Sequence, residues 1–285
     1  MRVRFYIMVG ALLFSTGGVA IKSATLTGWQ LSCFRSLTAA IAILIFLPVA
    51  RRGWTWCSLV VAIPYAATFT LFTLANTYTT AANAIFLQAT APLYILLLGP
   101  LLLREHIRWR DLGFMVALLA GLALIFTSTR EATVIAADPE FGDLLALGAG
   151  FSWAFTVVGL RWIAVRATHH EDKPEAAIVA GCFVASIIAA PFAFPVENAN
   201  VGNWLIVAYL GVFQIGLAYV FIAKGIRSLP ALEISLLLLV EPVFSPIWVW
   251  LLLGESPAGL AISGGAIVIG ATVVHAIRKG DPVTA

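Results

Sequence analysis

The sequence predicts an all-α integral membrane protein of ten transmembrane helices, arranged as two inverted five-helix repeats. Three observations predict it: apolar runs about twenty residues long, a lopsided sharing of Lys and Arg between the turns, and an internal echo of motifs. Composition sets the class. The 285 residues are 61% hydrophobic and 11% charged, with a mean hydropathy of +0.98, outside the range of soluble domains. A helix needs about twenty apolar residues to cross a hydrocarbon core, and the charges here cluster between runs of that length. The net charge of +3 carries no message about nucleic acid, because the basic residues sit where topology needs them.

Ten spans follow in order, at about 5–22, 28–49, 56–76, 82–103, 110–127, 142–163, 175–194, 203–223, 232–252 and 257–277. The first begins after MRVR and could pass for a secretory leader; because it completes a repeat, we read it as a retained helix. The second carries Arg35, and the third ends near Asn76 and Tyr78. The fourth holds Asn83, Phe86, Gln88, Pro92 and Tyr94. The fifth has small residues at Gly113, Ala117 and Gly121, the spacing of close helix contact, and the tenth repeats it at Ala261 and Gly265 and at Ala266 and Gly270. The sixth contains Trp153, and the eighth has Gln214 between Gly211 and Gly216, then Tyr219. The ninth, Leu236 to Glu255, reads LLLLVEPVFSPIWVWLLLGE and carries Glu241, Pro242, Phe244, Pro246 and Trp248.

Orientation follows from basic residues in alternate turns. One side takes Arg2, Arg4, Arg51, Arg52, Arg104, Arg108, Arg110, Arg161, Arg166, Lys173, Lys224, Arg227, Arg278 and Lys279. The other takes Lys22 and Arg130, and Arg35 stays within a span. So uneven a split predicts both termini in the cytoplasm and a place in the cell (inner) membrane.

The repeat is legible by eye. A shift of 150 residues lays Ala91-Pro92 on Glu241-Pro242, Leu101–Leu103 on Leu251–Leu253, and Glu105 on Glu255. Gly10–Ser15 echoes Gly148–Ser152 with a one-residue slip. Each half then holds five helices, with repeats at 1–135 and 136–285 within one membrane domain. Five is odd, so the second copy enters the membrane from the opposite side. The turns agree: the basic turn at Arg104, Arg108 and Arg110 corresponds to one holding only Glu255. Inverted repeats support alternating access by exchanging the conformations of two halves.

The ninth-span string resembles a signature of EamA-type members of the drug/metabolite transporter superfamily. ATAPLYILLLGPLLLREH is similar to that family's matching fourth helix, and CFRSLTAA, with Arg35, to the start of its second. The resemblance covers 6–277 and departs at Phe14-Ser15-Thr16, where the family often has a tryptophan; the second copy keeps Trp153. It implies a ten-helix exporter of small metabolites with a central cavity between the halves. The family's cargo includes amino acids, nucleosides and drugs, and its aromatic amino acid exporter branch supplies the best guess here.

Candidate site residues are the ionisable, amide, aromatic and proline positions inside the spans. Arg35 and Glu241 form a charge pair or a coupling site, since a charge at membrane depth is costly and needs a partner. Arg35 could instead be held by backbone carbonyls freed at a proline, or snorkel to the headgroups. Pro92, Pro242 and Pro246 each lack an N–H and serve as hinges. Substrate-binding candidates are Tyr78, Asn83, Phe86, Gln88, Tyr94, Trp153, Gln214, Tyr219, Phe244 and Trp248. For each, packing between helices is the competing role.

Cys33, Cys57 and Cys182 show neither disulfide nor metal spacing, and there is no zinc-protease or nucleotide-binding motif. No metal, no cofactor and no enzyme activity are expected. With one free carboxylate at most, several amides and many aromatics, the core suits a neutral or zwitterionic solute, foremost an aromatic or hydrophobic amino acid. Nucleosides, cationic drugs, or a non-cycling channel or scaffold are the alternatives. Expected partners are the substrate and membrane lipids; nucleic acid is not one, and the chain is a monomer or weak homo-oligomer.

Overall fold

Four helices start on short polar side chains that accept from free backbone N–H groups. Thr27 opens a helix with a full capping box: its Oγ1 accepts from the Gln30 amide at 3.2 Å, and Gln30 Oε1 accepts from the Thr27 amide at 3.0 Å. Thr55, Thr80 and Asn200 cap in the same way onto Ser58, Asn83 and Asn203. The structure, a computed structural model, describes residues 2–95, 109–132, 137–166, 173–197, 199–226, 237–238 and 240–279.

The helices are α1 (Arg2–Ser15), α2 (Gly17–Ser23), α3 (Gly28–Phe46), α4 (Trp56–Tyr78), α5 (Ala81–Gln88), α6 (Trp109–Ala132), α7 (Pro139–Arg166), α8 (Pro174–Ala193), α9 (Val201–Tyr209), α10 (Ala218–Ile226), α11 (Val240–Leu253) and α12 (Gly259–Lys279). A π-helical stretch, Leu210–Leu217, joins α9 to α10. No strand occurs among the described residues. Six helices there are long and apolar enough to cross a membrane: Arg4–Ser23, Gly28–Phe46, Trp56–Tyr78, Pro139–Ala164, Pro174–Ala193 and Val201–Ala223. They fall on the predicted first, second, third, sixth, seventh and eighth spans. Shorter apolar helices, Gly113–Ile125, Val240–Leu253 and Gly259–Val274, fall on the fifth, ninth and tenth. Of the repeat markers, Leu101–Leu103 and Glu105 lie outside the described residues.

Three of the predicted spans are interrupted among the described residues. The first bends at Thr16, between α1 and α2. The fourth leaves helix at Ala89 and Thr90, just before Pro92, whose missing N–H cannot bond Gln88 O. The eighth widens into the π stretch. There Gly211 meets α3 so closely that a Cβ would lie 2.9 Å from Arg35 O and 2.5 Å from Thr38 Cβ. π segments waste hydrogen-bond geometry and tend to mark functional sites.

The most extensive packing joins helices before Ala132 to helices after Pro139. α4 lies on α7 and α8, α3 on α8 and the π stretch, α1 on α10 and α11, α5 on α7, and α6 on α12. The core therefore sits between the two stretches of chain rather than within either one.

α6 and α12 cross where Gly121 faces Gly264. A Cβ on Gly121 would lie 2.8 Å from Gly264 O, and one on Gly264 2.5 Å from Gly121 O. Gly113 and Gly270, from the same predicted stripes, meet nothing within 4 Å. Gly121→Leu is therefore expected to cost roughly 1–3 kcal/mol by overpacking, whereas Gly113→Leu changes little. Thermal melting of the two purified variants in detergent checks the contrast.

Candidate functional site

The broken helices converge on two adjoining cavities. The larger, about 40 Å³, is walled by Ile85, Gln88, Ala89, Ala91, Pro92 and Ile95 from the fourth crossing, Trp153 and Val157 from α7, and Leu238, Glu241 and Pro242 from the ninth. The smaller, about 10 Å³, adds Phe14 of α1, Thr68, Phe69 and Phe72 of α4, and Gln214 of the π stretch. Gln88, Trp153 and Glu241 line both. A water needs about 10–15 Å³ of such space, so these cavities admit a few waters. A solute the size of an amino acid does not fit into either as it stands.

The polar groups here are under-used, which is costly away from water. Gln88 Oε1 and Gln214 Oε1 are buried with no hydrogen-bond partner among the described residues. Gln214 spends its Nε2 on Phe14 O at 3.4 Å. Glu241 makes no ion pair and no hydrogen bond among the described residues. What the site offers chemically is acceptors held beside aromatic faces, with no nucleophile–base pair. No group of three or more potential metal ligands occurs among the described residues.

Arg35 lies elsewhere. It is fully buried, its Nη2 donates to Phe69 O at 2.7 Å, and its guanidinium sits 5.6 Å from the centre of the Phe69 ring. It forms no ion pair with Glu241. The carbonyl that holds it is not one freed by a proline, because the residue four positions on is Thr73.

Comparison with known proteins places the chain in a family. Sequence patterns of the EamA-like transporter family match residues 1–127 and 140–276. The chain belongs to the EamA-like transporter family. Among similar proteins, "Uncharacterized transporter YdfC" of Bacillus subtilis (strain 168) is 26% identical over 274 residues, 93% of this chain and 87% of that one. An "Uncharacterized transporter" of Archaeoglobus fulgidus is 28% identical over 202 residues, 69% of this chain and 67% of the relative. A solved crystal structure shares the fold at a TM-score of 0.67 with 19% identity, covering 98% of this chain and 99% of that one. This EamA-like transporter is thus a multi-pass membrane protein and not an enzyme.

In this EamA-like transporter the other predicted residues fall outside the two cavities. Phe86 packs on Gly265 of α12, and Tyr94 meets the Phe151 ring edge-on at 5.4 Å. Trp248 stacks on Phe244 at 6.2 Å and donates to Ser15 Oγ at 3.0 Å. Tyr219 is fully buried against Phe14 and Tyr65, and Pro246 is buried within α11. Tyr78 meets Phe141 edge-on at 5.2 Å, and Asn83 is committed to Asp143. The sequence reading missed Phe14, Thr68, Phe69 and Phe72. Apolar side chains in an apolar span carry no mark of what they face, although Phe14 does sit in the Gly10–Ser15 echo.

A second polar cluster closes the end of the bundle that carries Lys22. Lys22 Nζ lies 3.0 Å from Glu255 Oε2 and donates to Thr79 O at 3.1 Å. Glu255 Oε1 accepts from the Ala81 amide at 2.9 Å, at the start of α5. Alongside, fully buried Asp143 accepts from Thr79 Oγ1 at 2.6 Å and from Asn83 Nδ2 at 3.2 and 3.1 Å. These bonds tie α2, the α4–α5 turn, α7 and the α11–α12 turn together.

Proposed function

We propose that this chain is a ten-span secondary transporter that exports a small neutral or zwitterionic organic solute, with aromatic and hydrophobic amino acids as the best-fitting cargo. It works by alternating access between two inverted repeats, 1–135 and 136–285, in the inner membrane with both termini cytoplasmic. The observation that carries the reading is the shared wall: Gln88 from the first half, and Trp153 and Glu241 from the second, line both cavities. A site built jointly by two halves changes access when one half rocks against the other.

The helix pairing supports the repeat. α4 on α7 has its counterpart in α1 on α10, α5 on α7 in α1 on α11, and α4 on α8 in α3 on the π stretch, while α3–α8 and α6–α12 map onto themselves. A two-fold relation between halves produces this pattern. The Lys22 cluster is then the closed extracellular end, on the side with few basic residues. The substrate-binding set, Tyr78, Asn83, Phe86, Gln88, Tyr94, Trp153, Gln214, Tyr219, Phe244 and Trp248, divides into cavity walls and flanking helix contacts that shift as the halves move. Pro92, Pro242 and Pro246 act as hinges. Energy coupling runs through Glu241 if a proton is used; otherwise the solute gradient alone drives a uniporter.

The test is counterflow in proteoliposomes preloaded in turn with amino acids, nucleosides and cationic drugs. Accumulation of labelled phenylalanine or tryptophan without an ion gradient is the expected result. A cationic-drug exporter is the second reading, favoured by the unpaired carboxylate of Glu241; uptake of cationic drugs with no amino acid counterflow would select it. No counterflow at all would favour a non-cycling channel or scaffold.

A further inference from the structure

Resting on that reading, the two charges of the core specify the cargo further. Arg35 is the largest fully buried side chain among the described residues, and a guanidinium stays protonated in any protein environment. One of its nitrogens is satisfied by Phe69 O. Nε and Nη1 are buried with no partner among the described residues, so three N–H bonds point at nothing that accepts them. A buried, uncompensated cation of this kind costs several kcal/mol. An ionisable side chain kept at such a cost inside a membrane core is by default a candidate for function.

Phe69 borders both this cation and the smaller cavity, and we read its ring as the partition between them. Its ring lines the smaller cavity beside Trp153, Gln214 and Glu241, and the Arg35 guanidinium lies over the same ring at 5.6 Å. Unmet donors and unmet acceptors thus gather around one ring.

We infer that Arg35 binds the carboxylate of the transported solute once Phe69 swings aside, while Glu241 binds its ammonium group. The cargo then carries both charges on one small unit, as an α-amino acid does, and an aromatic or apolar side chain lies against Trp153 and Phe72. A solute with only one charge leaves a buried partner unmet, and sites built to pair such groups reject analogues that lack them.

The experiment is counterflow by the full chain in proteoliposomes with phenylalanine, phenethylamine and 3-phenylpropionate. The wild type is expected to favour phenylalanine over either singly charged analogue by about tenfold or more. Arg35→Gln should erase the preference over phenethylamine, and Glu241→Gln the preference over phenylpropionate. Phe69→Leu thins the partition without altering a charge, and it should lower the apparent KM for phenylalanine by a larger factor than that for phenethylamine. It keeps the idea testable if Arg35→Gln does not fold. If the Arg35 and Phe69 variants scale phenylalanine and phenethylamine alike, Arg35 is structural or hydrated and the inference fails while the exporter stands. If the wild type carries no phenylalanine but does carry nucleosides or cationic drugs, the cargo reading itself falls, and the inference with it.

Discussion

Lys22→Met is expected to speed access to the central cavity from the Lys22 end, extracellular on the proposed orientation, by roughly tenfold, a shift typical of one coupling contact between two conformations. Lys22 is held by Glu255 at 3.0 Å and by Thr79 O at 3.1 Å, with side-chain exposures of 14% and 9% for the ion pair. At that burial the pair is poorly screened, and removing one partner leaves the other charge stranded. The only gain on offer is hydration, which separation of α2 from the α11–α12 turn provides. The readout is labelling of a single cysteine at position 88, in a chain otherwise without cysteine, by a membrane-impermeant maleimide. Glu255→Gln should act in the same direction. The exchanged pair Lys22→Glu with Glu255→Lys should slow labelling back toward the wild-type rate. Unchanged labelling in both single variants would show that the ion pair does not hold this end closed.

Asp143→Ala carries the largest expected loss of stability, about 2–5 kcal/mol, because it strands buried donors rather than merely removing a bond. Thr79 Oγ1 and Asn83 Nδ2 both spend themselves on this carboxylate, and all three residues are essentially inaccessible. Asp143→Asn keeps an acceptor for one of them and should cost about half as much. Thermal unfolding of purified variants and the yield of folded protein in membranes give the measure. If alanine and asparagine have equal effects, the carboxylate's length rather than its hydrogen bonds matters.

The two predictions also mark how far sequence reasoning reached. Glu255 and Lys22 were visible as isolated charges between apolar runs, yet nothing in the string says that they meet across 233 positions. Asp143 drew no attention at all, since one acidic residue near a span end looks like an ordinary solvated cap. Asn83 showed the reverse problem. An amide in a membrane span must find partners, but whether the partner is a substrate or Asp143 depends on the neighbouring helix.

The sequence by itself determined the membrane class, the places of the apolar helices the structure describes, the family, and the break before Pro92. These are local or additive properties: hydropathy accumulates along one helix, and a proline removes its own N–H whatever surrounds it. It also picked out Gln88, Trp153, Gln214, Glu241, Pro92 and Pro242, which do line the cavities, because polar atoms and helix breaks are conspicuous against an apolar background. Only the tertiary structure decided that Phe69 borders both Arg35 and the cavity, that Arg35 and Glu241 are not paired, and that Asn83 belongs to Asp143. Those outcomes turn on the rotation of each helix about its axis and on the depth at which two helices touch. In a span that is apolar on every side, the sequence carries almost no signal for either.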